Sequence, residues 1–508
     1  MTSPRADGVT AGSPRDHGVN GSNSRFDFTT EIPAAGSLGS VHFIAIGGAG
    51  MSGVARVMLA RGMSVSGSDA KESLVLTALA AEGAEVHIGH DASYLTGADT
   101  VVISSAIRED NVELRAARAG GLRVLHRSQA LASVMRGSRR VAVAGTNGKT
   151  TTTSMLTVAL QACGVDPSFA VGGELAKHGT NAHLGTGDIF VAEADESDGS
   201  FLVYRPDVAI VTSVQPDHLD FYGTFVAVQA AYAAFAATIQ PQGLLVACAD
   251  DPGSRELADV AAAAGARVVT YGLAADADVR LTALDGAGFH GRADLVRAGV
   301  VLGRLEIGMP GRHNLLNATA AFVAATEGLA QDPGRVLEGL GGFTGTRRRF
   351  EPKGEMAGVR VVDDYAHNPG KVAAVVETAR GLAVPGRLVV VFQPHLYSRT
   401  RDFAAQLADA LSPADFVIVM DVYAAREDPM PGVSGALIAD QLGAGQVSRD
   451  HIRFVPFWSD VAPLVARIAR SGDLVLTVGA GDVTMIGPEI LRLLGQRPDA
   501  TEAVQGQE

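Results

Sequence analysis

The stretch that decides the fold is Gly145-Thr146-Asn147-Gly148-Lys149-Thr150. It follows the apolar run Arg140–Ala144 and precedes an Ala- and Leu-rich stretch, which predicts a strand, a glycine-rich turn and a helix. The backbone N–H groups of such a turn can surround phosphate oxygens, while Lys149 offsets their charge and the Thr150 hydroxyl reaches Mg²⁺. The general phosphate-loop pattern has a glycine at position 143, where this chain has Val143, so the loop is a shorter variant. A turn without function is disfavoured, because Lys-Thr opens the helix directly after a buried strand.

Acidic residues follow the next two predicted strands. The run Ile189–Ala192 ends at Glu-Ala-Asp-Glu-Ser-Asp, residues 193–198, and the run Val208–Thr212 leads to His218. A magnesium–nucleotide site needs hard oxygen ligands, and ligands of open α/β sheets gather at the carboxyl ends of the strands. We therefore predict that Glu193 is a metal ligand and that His218 has a functional rather than a structural role.

A second glycine-rich stretch, Gly47–Gly53, follows the predicted strand Val41–Ile46. It contains G-x-G-x-x-G, whose tight turn and exposed N–H groups at a helix N-terminus suit a diphosphate. Asp69 stands at the end of the next predicted strand, where a carboxylate can meet a ribose hydroxyl. Taken alone, the motif fits either a dinucleotide or a UDP-linked substrate.

Short apolar runs alternate with Ala-rich, helix-like stretches from residue 41 onward, which is typical of repeated βα units. We predict an α/β protein of three domains, each built on a mainly parallel sheet. These are a Rossmann-like N-terminal domain (residues 39–138), a central ATPase domain of the phosphate-loop type (139–345) and a Rossmann-like C-terminal domain (346–494). Composition predicts a disordered tail at 1–38 and a flexible tail at 495–508.

Length, charge and cysteine content narrow the class of protein. The 508 residues suffice for about three domains. The formal net charge of −13 disfavours nucleic-acid binding, because a phosphate backbone needs a basic surface. Two cysteines, Cys163 and Cys248, are too few for a disulfide framework or a Cys-rich metal cluster. No signal-peptide core and no run of about 18 apolar residues occurs, so we expect a cytoplasmic protein without membrane insertion.

Together these segments resemble the muramyl ligase family, the ATP-dependent enzymes that build the peptide of bacterial cell-wall precursors. The family pattern GRHNxxNA is present at 311–318, and the family's arginine pair before a phenylalanine is present at 348–350. The resemblance implies ATP and Mg²⁺ as cofactors, Lys149 and His218 as catalytic residues, and Thr150, Glu193 and His218 as metal ligands. The implied ATP-binding residues are Gly145, Thr146, Asn147, Gly148, Lys149, Thr150, Thr151, Asn314, Asn317, Arg348, Arg349 and Asp364.

Within the family, the first glycine loop and the stretch Phe392–Thr400, FQPHLYSRT, are similar to those of the member that adds the first residue, L-alanine, to UDP-N-acetylmuramate. That similarity favours a UDP-sugar over a dinucleotide in the first domain. The implied UDP-sugar-binding residues are Gly48, Ala49, Gly50, Met51, Ser52, Gly53, Asp69, Ser104 and Ser105. The implied amino-acid-binding residues are Tyr365, His367, His395 and Arg399, and His367 is also an implied catalytic residue.

The reaction implied by the resemblance transfers the γ-phosphoryl group of ATP to the lactyl carboxylate of UDP-N-acetylmuramate, after which the amine of L-alanine displaces phosphate. The expected partners are therefore small-molecule substrates, and the expected working state is a monomer or homodimer. We also expect the third domain to close over the second about a hinge near Gly345.

Three departures from the family pattern touch the predicted site. Asn147 and Leu396 stand where this member usually has His and Arg, and residues 363–371 read DDYAHNPGK where the family has DDYGHHPTE. The last two departures leave the added amino acid open, with a recycling ligase that attaches a whole peptide and a divergent paralogue as alternatives. Outside the family, the alternatives are a regulatory ATP-binding protein without catalysis and an NAD-dependent dehydrogenase, which GTNGKT argues against.

Overall fold

The computed structural model describes residues 22–23, 25–175, 179–286, 288–425, 427–444 and 448–497. Three large sheets carry helices on their faces, so the predicted α/β class with three mainly parallel sheets is confirmed. Among the helices so described, none has the length and apolar composition needed to cross a membrane.

The segment from Arg25 to Leu38 packs on the first domain, so the predicted disordered tail is wrong for these residues. The two-residue strands β1 (Ser22–Asn23) and β2 (Phe26–Asp27) pair at its start. The buried Phe26 and Phe28 rings lie 4.9 and 5.5 Å from the His126 ring. The composition of this segment does not predict its packing, because its two phenylalanines lie among Asp, Ser and Thr residues. Residues 1–21, 24 and 498–508 of the two predicted tails lie outside the described residues.

The first domain is a parallel five-stranded sheet with helices on both faces. Its strands are β3 (Val41–Ile44), β4 (Val65–Asp69), β5 (Glu85–Ile88), β6 (Thr100–Ile103) and β7 (Arg123–His126), and its helices are α1 (Ala49–Ala60), α2 (Leu74–Ala81), α3 (Val112–Ala119) and α4 (Arg127–Met135). The strands lie in the order β5-β4-β3-β6-β7. Strand β3 ends two residues before the predicted Ile46, because Ala45 takes a φ of +63° and turns the chain into the glycine loop.

The central domain is a ten-stranded sheet whose outer strands are antiparallel. Its strands are β8 (Arg139–Ala144), β9 (Ser168–Leu175), β10 (Thr180–His183), β11 (Ile189–Glu193), β12 (Val208–Val211), β13 (Leu244–Cys248), β14 (Arg267–Gly272), β15 (Val279–Asp285), β16 (Gly291–Arg297) and β17 (Val300–Ile307). Its helices are α5 (Lys149–Ala162), α6 (Leu219–Tyr222), α7 (Phe225–Ala237), α8 (Pro252–Ala263), α9 (Arg312–Val323), which continues as a π-helix (Ala324–Gly328), and α10 (Pro333–Gly341). Strand β8 lies between β11 and β12, with Val143 beside Glu193 and Ile210. The phosphate loop, the acidic segment and the segment leading to His218 therefore leave the sheet at one edge.

The third domain is a six-stranded sheet in the order β18-β19-β23-β20-β21-β22. Its strands are β18 (Glu351–Met356), β19 (Val359–Asp364), β20 (Leu388–Phe392), β21 (Phe416–Val419), β22 (Ile452–Phe454) and β23 (Leu474–Val478), and its helices are α11 (Pro369–Ala383), α12 (Tyr397–Leu411), α13 (Ala436–Ala444), α14 (Trp458–Ile468) and α15 (Ile486–Leu494). All neighbours are parallel except β18 and β19. Asp364 and Phe392 both lie beside Val478, so three chain segments leave this sheet together at its cavity edge.

The hydrophobic cores join the first two domains and leave the third separate. One apolar cluster runs from the first sheet to the face of the central sheet that carries Ala142 and Ala192, while α5, α9 and α10 cover the opposite face. The third sheet has its own cluster on each face. Across the border with the central domain, Phe289 packs on the third-domain cluster with its ring 6.2 Å from that of Phe350, and the hydrogen bonds of Arg349 with Thr150 and of Asn368 with Asp217 cross the same border.

Candidate active site

The phosphate loop turns sharply at two glycines. Gly145 has a φ of +131° and Gly148 a φ of +86°, values that favour glycine. A methyl group on Gly145 would overlap Thr212 Oγ1, and one on Gly148 would overlap Asn317 Oδ1. The loop backbone therefore lies directly against the residue after β12 and against α9, and Gly148 caps α5.

Lys149 leaves the start of α5 and forms an ion pair with Glu196. Its Nζ donates to the two carboxylate oxygens at 2.8 and 2.9 Å and to the Gly145 carbonyl at 2.7 Å. Burial lowers the pKa of Lys149, but the charges of Glu196, Asp195 and Glu193 outweigh burial and raise the pKa above its ordinary value. Lys149 is therefore an ammonium at neutral pH.

Thr150, Glu193 and Arg349 meet beside the loop. Thr150 Oγ1 donates to the Glu193 carboxylate, whose oxygens lie at 3.1 and 3.0 Å, and Arg349 Nη2 donates to Thr150 Oγ1 at 3.2 Å. The third predicted metal ligand, His218, faces Glu196, with Nε2 3.9 Å from Oε1. The structure thus brings Thr150 and Glu193 into contact and places His218 beside the carboxylate that holds Lys149.

The oxygen donors around the loop fit a magnesium ion. A hydroxyl and the Glu193 carboxylate are hard ligands, and Mg²⁺ in nucleotide sites usually takes one or two carboxylates and completes its shell with water and phosphate oxygens. Within the described ranges, no three His, Cys, Asp or Glu side chains form a ready-made metal site. Thr150 and Glu193 therefore suit a metal that arrives with phosphate better than one held by protein alone.

Asn314 and Asn317 lie on α9 beside the loop. Asn314 Nδ2 donates to the Pro310 carbonyl at 2.7 Å, which fixes the turn into the helix. Asn317 Oδ1 faces Gly148. Burial lowers the pKa of the neighbouring His313 to about 4, so His313 is neutral at physiological pH, while Arg312 pairs with Asp250 at 3.4 Å on the same side of the cavity.

The predicted arginine pair divides between two places. Arg349 faces the phosphate loop, whereas Arg348 Nη2 donates to the Gly479 and Gly481 carbonyls of the third domain at 2.7 and 2.9 Å. Both guanidinium groups lie over the Tyr365 ring, 4.7 and 5.0 Å from its centroid. Only Arg349 of the pair contacts the loop.

Asp364 holds the backbone on both sides of the site. It accepts from the Phe350 N–H at 2.8 Å and the Ala366 N–H at 2.7 Å. Burial raises its pKa to about 6, although the charge of Arg349 opposes the shift. Its hydrogen bonds orient the segments that carry Arg349 and Tyr365.

Tyr365, His367, His395 and Arg399, the predicted amino-acid-binding residues, lie together in one cluster. The His367 ring centroid lies 5.4 Å from that of Tyr365 and 5.5 Å from that of His395. Arg399 Nη1 donates to His395 Nδ1 at 3.2 Å. The cluster combines a cation with two imidazoles, groups suited to a carboxylate and an amine.

His367 is held in one tautomer. Its Nδ1 donates to the Tyr365 carbonyl at 2.9 Å, which leaves the lone pair on Nε2. Burial, together with the charges of Lys371 and Arg399, lowers its pKa well below the ordinary value. His367 is therefore neutral at physiological pH and can accept a hydrogen bond at Nε2.

Asp217 of the central domain connects this cluster to the phosphate loop edge. Its Oδ1 accepts from Arg399 Nη2 at 3.2 Å and its Oδ2 from Asn368 Nδ2 at 2.9 Å. Burial raises the pKa of Asp217, but the charges of His218, Arg399 and Lys371 and the Asn368 bond hold it well below the ordinary value. A buried carboxylate thus joins the second and third domains.

The first glycine loop forms another wall of the site. Ala49 and Ser52 line the cavity, and the Gly47 N–H donates to Asp69 Oδ2 at 3.0 Å, so Asp69 closes the loop from β4. The remaining predicted loop residues support it from behind: Gly48 caps α1, Met51 is buried, and Gly50 and Gly53 face Arg127 and the β9–β10 hairpin.

The predicted serines after β6 lie at the contact between the first two domains. Ser105 Oγ donates to Asp198 Oδ2 at 2.5 Å and lies 3.2 Å from His126 Nε2, while the Ser104 carbonyl accepts from the Ile107 N–H. Nearby, Arg127 Nη2 donates to Asp195 Oδ2 at 2.6 Å. Two carboxylates of the acidic segment, Asp195 and Asp198, therefore bind the first domain rather than the phosphate loop.

A cavity of about 1280 Å³ between the three domains connects these groups. The phosphate loop, the start of α9, the His367 cluster and the first glycine loop all open onto it. The site can therefore hold a nucleoside triphosphate, an anionic sugar nucleotide and a small amino acid at the same time.

Comparison with known proteins identifies the family. Models of the Mur ligase family catalytic domain, the Mur ligase middle domain and the Mur ligase glutamate ligase domain match residues 40–139, 143–325 and 348–481. The chain is 56% identical over 469 residues to the UDP-N-acetylmuramate–L-alanine ligase of Kineococcus radiotolerans, covering 92% of this chain and 98% of that protein. The chain belongs to the Mur ligase family.

Solved structures agree with this assignment. The Mur ligase described here is similar to the UDP-N-acetylmuramate-alanine ligase of Thermotoga maritima, with a TM-score of 0.74 and 29% identity over 89% of this chain and 98% of that one. A murein peptide ligase of Psychrobacter arcticus shares the fold, with a TM-score of 0.67 and 24% identity over 91% and 99% of the two chains.

Sequence reasoning missed four side chains of this Mur ligase's cavity region. They are Glu196, Asp217, Asn368 and Lys371. Glu196 and Asp217 lie in the two acidic segments, from which the sequence pattern selects only Glu193 and His218. The other two are departures from the family pattern DDYGHHPTE, and that disagreement was the signal that could have found them.

Proposed function

We propose that this Mur ligase joins L-alanine to the lactyl carboxylate of UDP-N-acetylmuramate, driven by ATP, in the synthesis of cell-wall precursors. The observation that carries the proposal is the shared cavity, onto which the phosphate loop, the His367 cluster and the first glycine loop open together. The 56% identity to a relative named for this reaction supports the choice of substrates.

The proposed reaction has two displacements. The lactyl carboxylate attacks the γ-phosphorus of ATP, and the bond to the β-phosphate oxygen breaks, giving an acyl phosphate and ADP. The amine of L-alanine then attacks the acyl carbon, and the C–O bond to phosphate breaks, giving an amide, inorganic phosphate and a proton. Alignment and charge neutralisation supply the catalysis, without a covalent enzyme intermediate.

The side chains of the cavity divide these tasks. Lys149 and Arg349 offset negative charge on the phosphoryl group, and Arg399 binds the carboxylate of the amino acid. His367 accepts a hydrogen bond from the attacking amine at Nε2 and orients it, because its Nδ1 is already used. Thr150 and Glu193 would hold Mg²⁺, which offsets charge on phosphate oxygens when bound.

An ADP-release assay tests this function. UDP-N-acetylmuramate is supplied with ATP and, in turn, with L-alanine, glycine, L-serine or a cell-wall tripeptide. ADP release that requires both UDP-N-acetylmuramate and an amino acid, fastest with L-alanine, supports the proposal. A preference for the tripeptide would indicate the recycling reaction, and release independent of both substrates would indicate an ATPase without ligation.

Compartment and oligomeric state are part of the same proposal. Cys163 and Cys248 are both free thiols, as expected in a reducing compartment. We place the protein in the cytoplasm, as a monomer or homodimer, and sedimentation equilibrium at micromolar concentration distinguishes the two states.

A further inference from the structure

Lys371 differs from the other cations that line the cavity. Within the described ranges, no hydrogen bond or ion pair engages its ammonium group. Each of the other eight lining Lys and Arg side chains has a polar partner: Arg56, Lys149, Arg312, Arg347, Arg348, Arg349, Lys353 and Arg399. Lys371 therefore contributes an unbalanced positive charge to the cavity.

The backbone places Lys371 opposite the phosphate loop. It stands in the first turn of α11, whose N-cap, Asn368, is bonded to Asp217. A methyl group on the preceding Gly370 would lie 3.3 Å from Gln215 Oε1 and 3.7 Å from Asn147 Nδ2, so this turn adjoins the loop. The first turn of α11 thus places Lys371 on the cavity wall next to the phosphate loop.

The electrostatic neighbours of Lys371 place it between the two reaction centres. Burial and the charges of Lys149 and Arg349 lower its pKa to about 8, although Asp217 and Glu196 oppose the shift. Its own charge in turn lowers the pKa of His367. One ammonium group therefore interacts both with the phosphate loop and with the amino-acid cluster.

The ammonium of Lys371 adds positive charge to a wall of the cavity that adjoins the phosphate loop. A cation there attracts a phosphoryl group that moves away from the loop. The attraction is worth most in a site shielded from water.

We infer that Lys371 binds the phosphoryl group on its way from ATP to the lactyl carboxylate, and then binds the inorganic phosphate released. This inference rests on the proposed ligase reaction. Lys149 holds the group at the start of the transfer, where Glu196 already balances its charge, and Lys371 receives it on the third-domain side. Lys371 thereby becomes a catalytic residue of the proposed reaction.

Binding of inorganic phosphate in the presence of ADP tests the inference independently of turnover. Calorimetry is carried out on the full chain, on Lys371→Met, on Lys371→Arg, and on Glu377→Gln, which removes a charge from an exposed position of the same helix. We expect Lys371→Met to weaken phosphate binding by about tenfold, Lys371→Arg to restore most of it, and Glu377→Gln to bind like the unchanged protein. Unchanged phosphate binding in Lys371→Met would overturn the inference.

Steady-state kinetics separates this role from amino-acid binding. In Lys371→Met we expect kcat to fall by about tenfold or more, with the KM for L-alanine within about twofold, and Lys371→Arg to recover kcat. If Lys371→Met instead raises the KM for L-alanine and binds phosphate as the unchanged protein does, Lys371 binds the carboxylate of the amino acid. If the unchanged protein does not ligate, the proposed function is refuted. If the unchanged protein ligates but Lys371→Met binds phosphate normally, only the role of Lys371 is refuted.

Discussion

At the scale of single residues, the site depends on charges that are paired before substrate arrives. Lys149 is held by Glu196, whose side chain is 3% exposed, and Arg399 by Asp217. A buried charge without a partner is costly, so each of these pairs fixes both members in place. Substrate phosphates must therefore compete with Glu196 for Lys149, which makes this ion pair part of the resting state of the site.

Replacing Lys149 by alanine removes the cation of the phosphate loop. We expect Lys149→Ala to keep the fold and to lose ATP-dependent ligation, with kcat lower by about a thousandfold, since a cation at developing phosphoryl charge is lost. ADP release, with circular dichroism as the control for folding, measures both effects. A folded variant that turns over at nearly the original rate would contradict the assignment of this loop.

Replacing His367 by alanine removes the neutral imidazole of the amino-acid cluster. Because His367 lies between Tyr365 and His395, we expect His367→Ala to raise the KM for L-alanine by about tenfold and to change the KM for ATP much less. Separate titrations of the two substrates give the comparison. Equal effects on both would assign His367 to the nucleotide.

Local pattern predicted some of these residues and not others, for a physical reason. Lys149 and Thr150 come after the short turn that follows β8, and Glu193 ends β11, so sequence order alone places them at one sheet edge. The pairings Lys149–Glu196 and Asp217–Asn368 depend on side-chain directions and on the approach of two domains, which no short pattern contains. The arginine pair shows the same limit of sequence patterns. Arg349 contacts Thr150 of the phosphate loop, whereas the adjacent Arg348 donates to the Gly479 carbonyl of its own domain.

At the scale of elements, the segment Arg25–Leu38 supports the first-domain side of the site. Phe26 and Phe28 pack on His126, which in turn contacts Ser105 and Asp198. The regular βα units were predictable from alternating apolar runs. This segment was not, because its burial comes from two isolated aromatic side chains without periodicity.

Truncating Phe28 tests the contribution of this segment. Phe28 is 2% exposed, so we expect Phe28→Ala to cost about 3–5 kcal/mol of unfolding free energy. Since His126 then loses support beneath Ser105, the KM for UDP-N-acetylmuramate should also rise. Chemical denaturation and substrate titration measure the two effects. Val226→Ala, at a position 73% exposed, serves as the control and should change the free energy of unfolding by no more than about 0.5 kcal/mol. An equal loss of stability in both variants would show that Phe28 does not support the first domain.

At the scale of the whole molecule, the first two domains share one apolar cluster, and side-chain hydrogen bonds connect the third domain to the central one. The apolar cluster contains residues of both the first and the central domain. From the third domain, Asn368 and Arg399 donate hydrogen bonds to Asp217, and Arg349 donates one to Thr150. Gly345 stands between α10 and β18 with a φ of +100°, and the next residue, Thr346, pairs with Leu175 at the end of β9. The hinge near Gly345 stays a prediction. Closure would exclude water from the acyl phosphate.

A double-mutant cycle measures the coupling across this contact. We expect Asp217→Ala and Asn368→Ala each to raise the KM for L-alanine. Because the two substitutions remove opposite ends of one hydrogen bond, the free-energy change in the double variant should be about 1 kcal/mol smaller than the sum of the changes in the single variants. Strict additivity would show that the bond does not couple the two domains during turnover.

The most direct test of the central claim is the stoichiometry of a single reaction mixture. Purified protein is incubated with UDP-N-acetylmuramate, L-alanine and ATP, and the products are quantified by liquid chromatography with mass spectrometry. The structure predicts one UDP-N-acetylmuramoyl-L-alanine, one ADP and one phosphate per turnover, and none of these products when any one substrate is omitted. Formation of ADP without the UDP-linked alanine product, or ligation of another amine in preference to L-alanine, would contradict it.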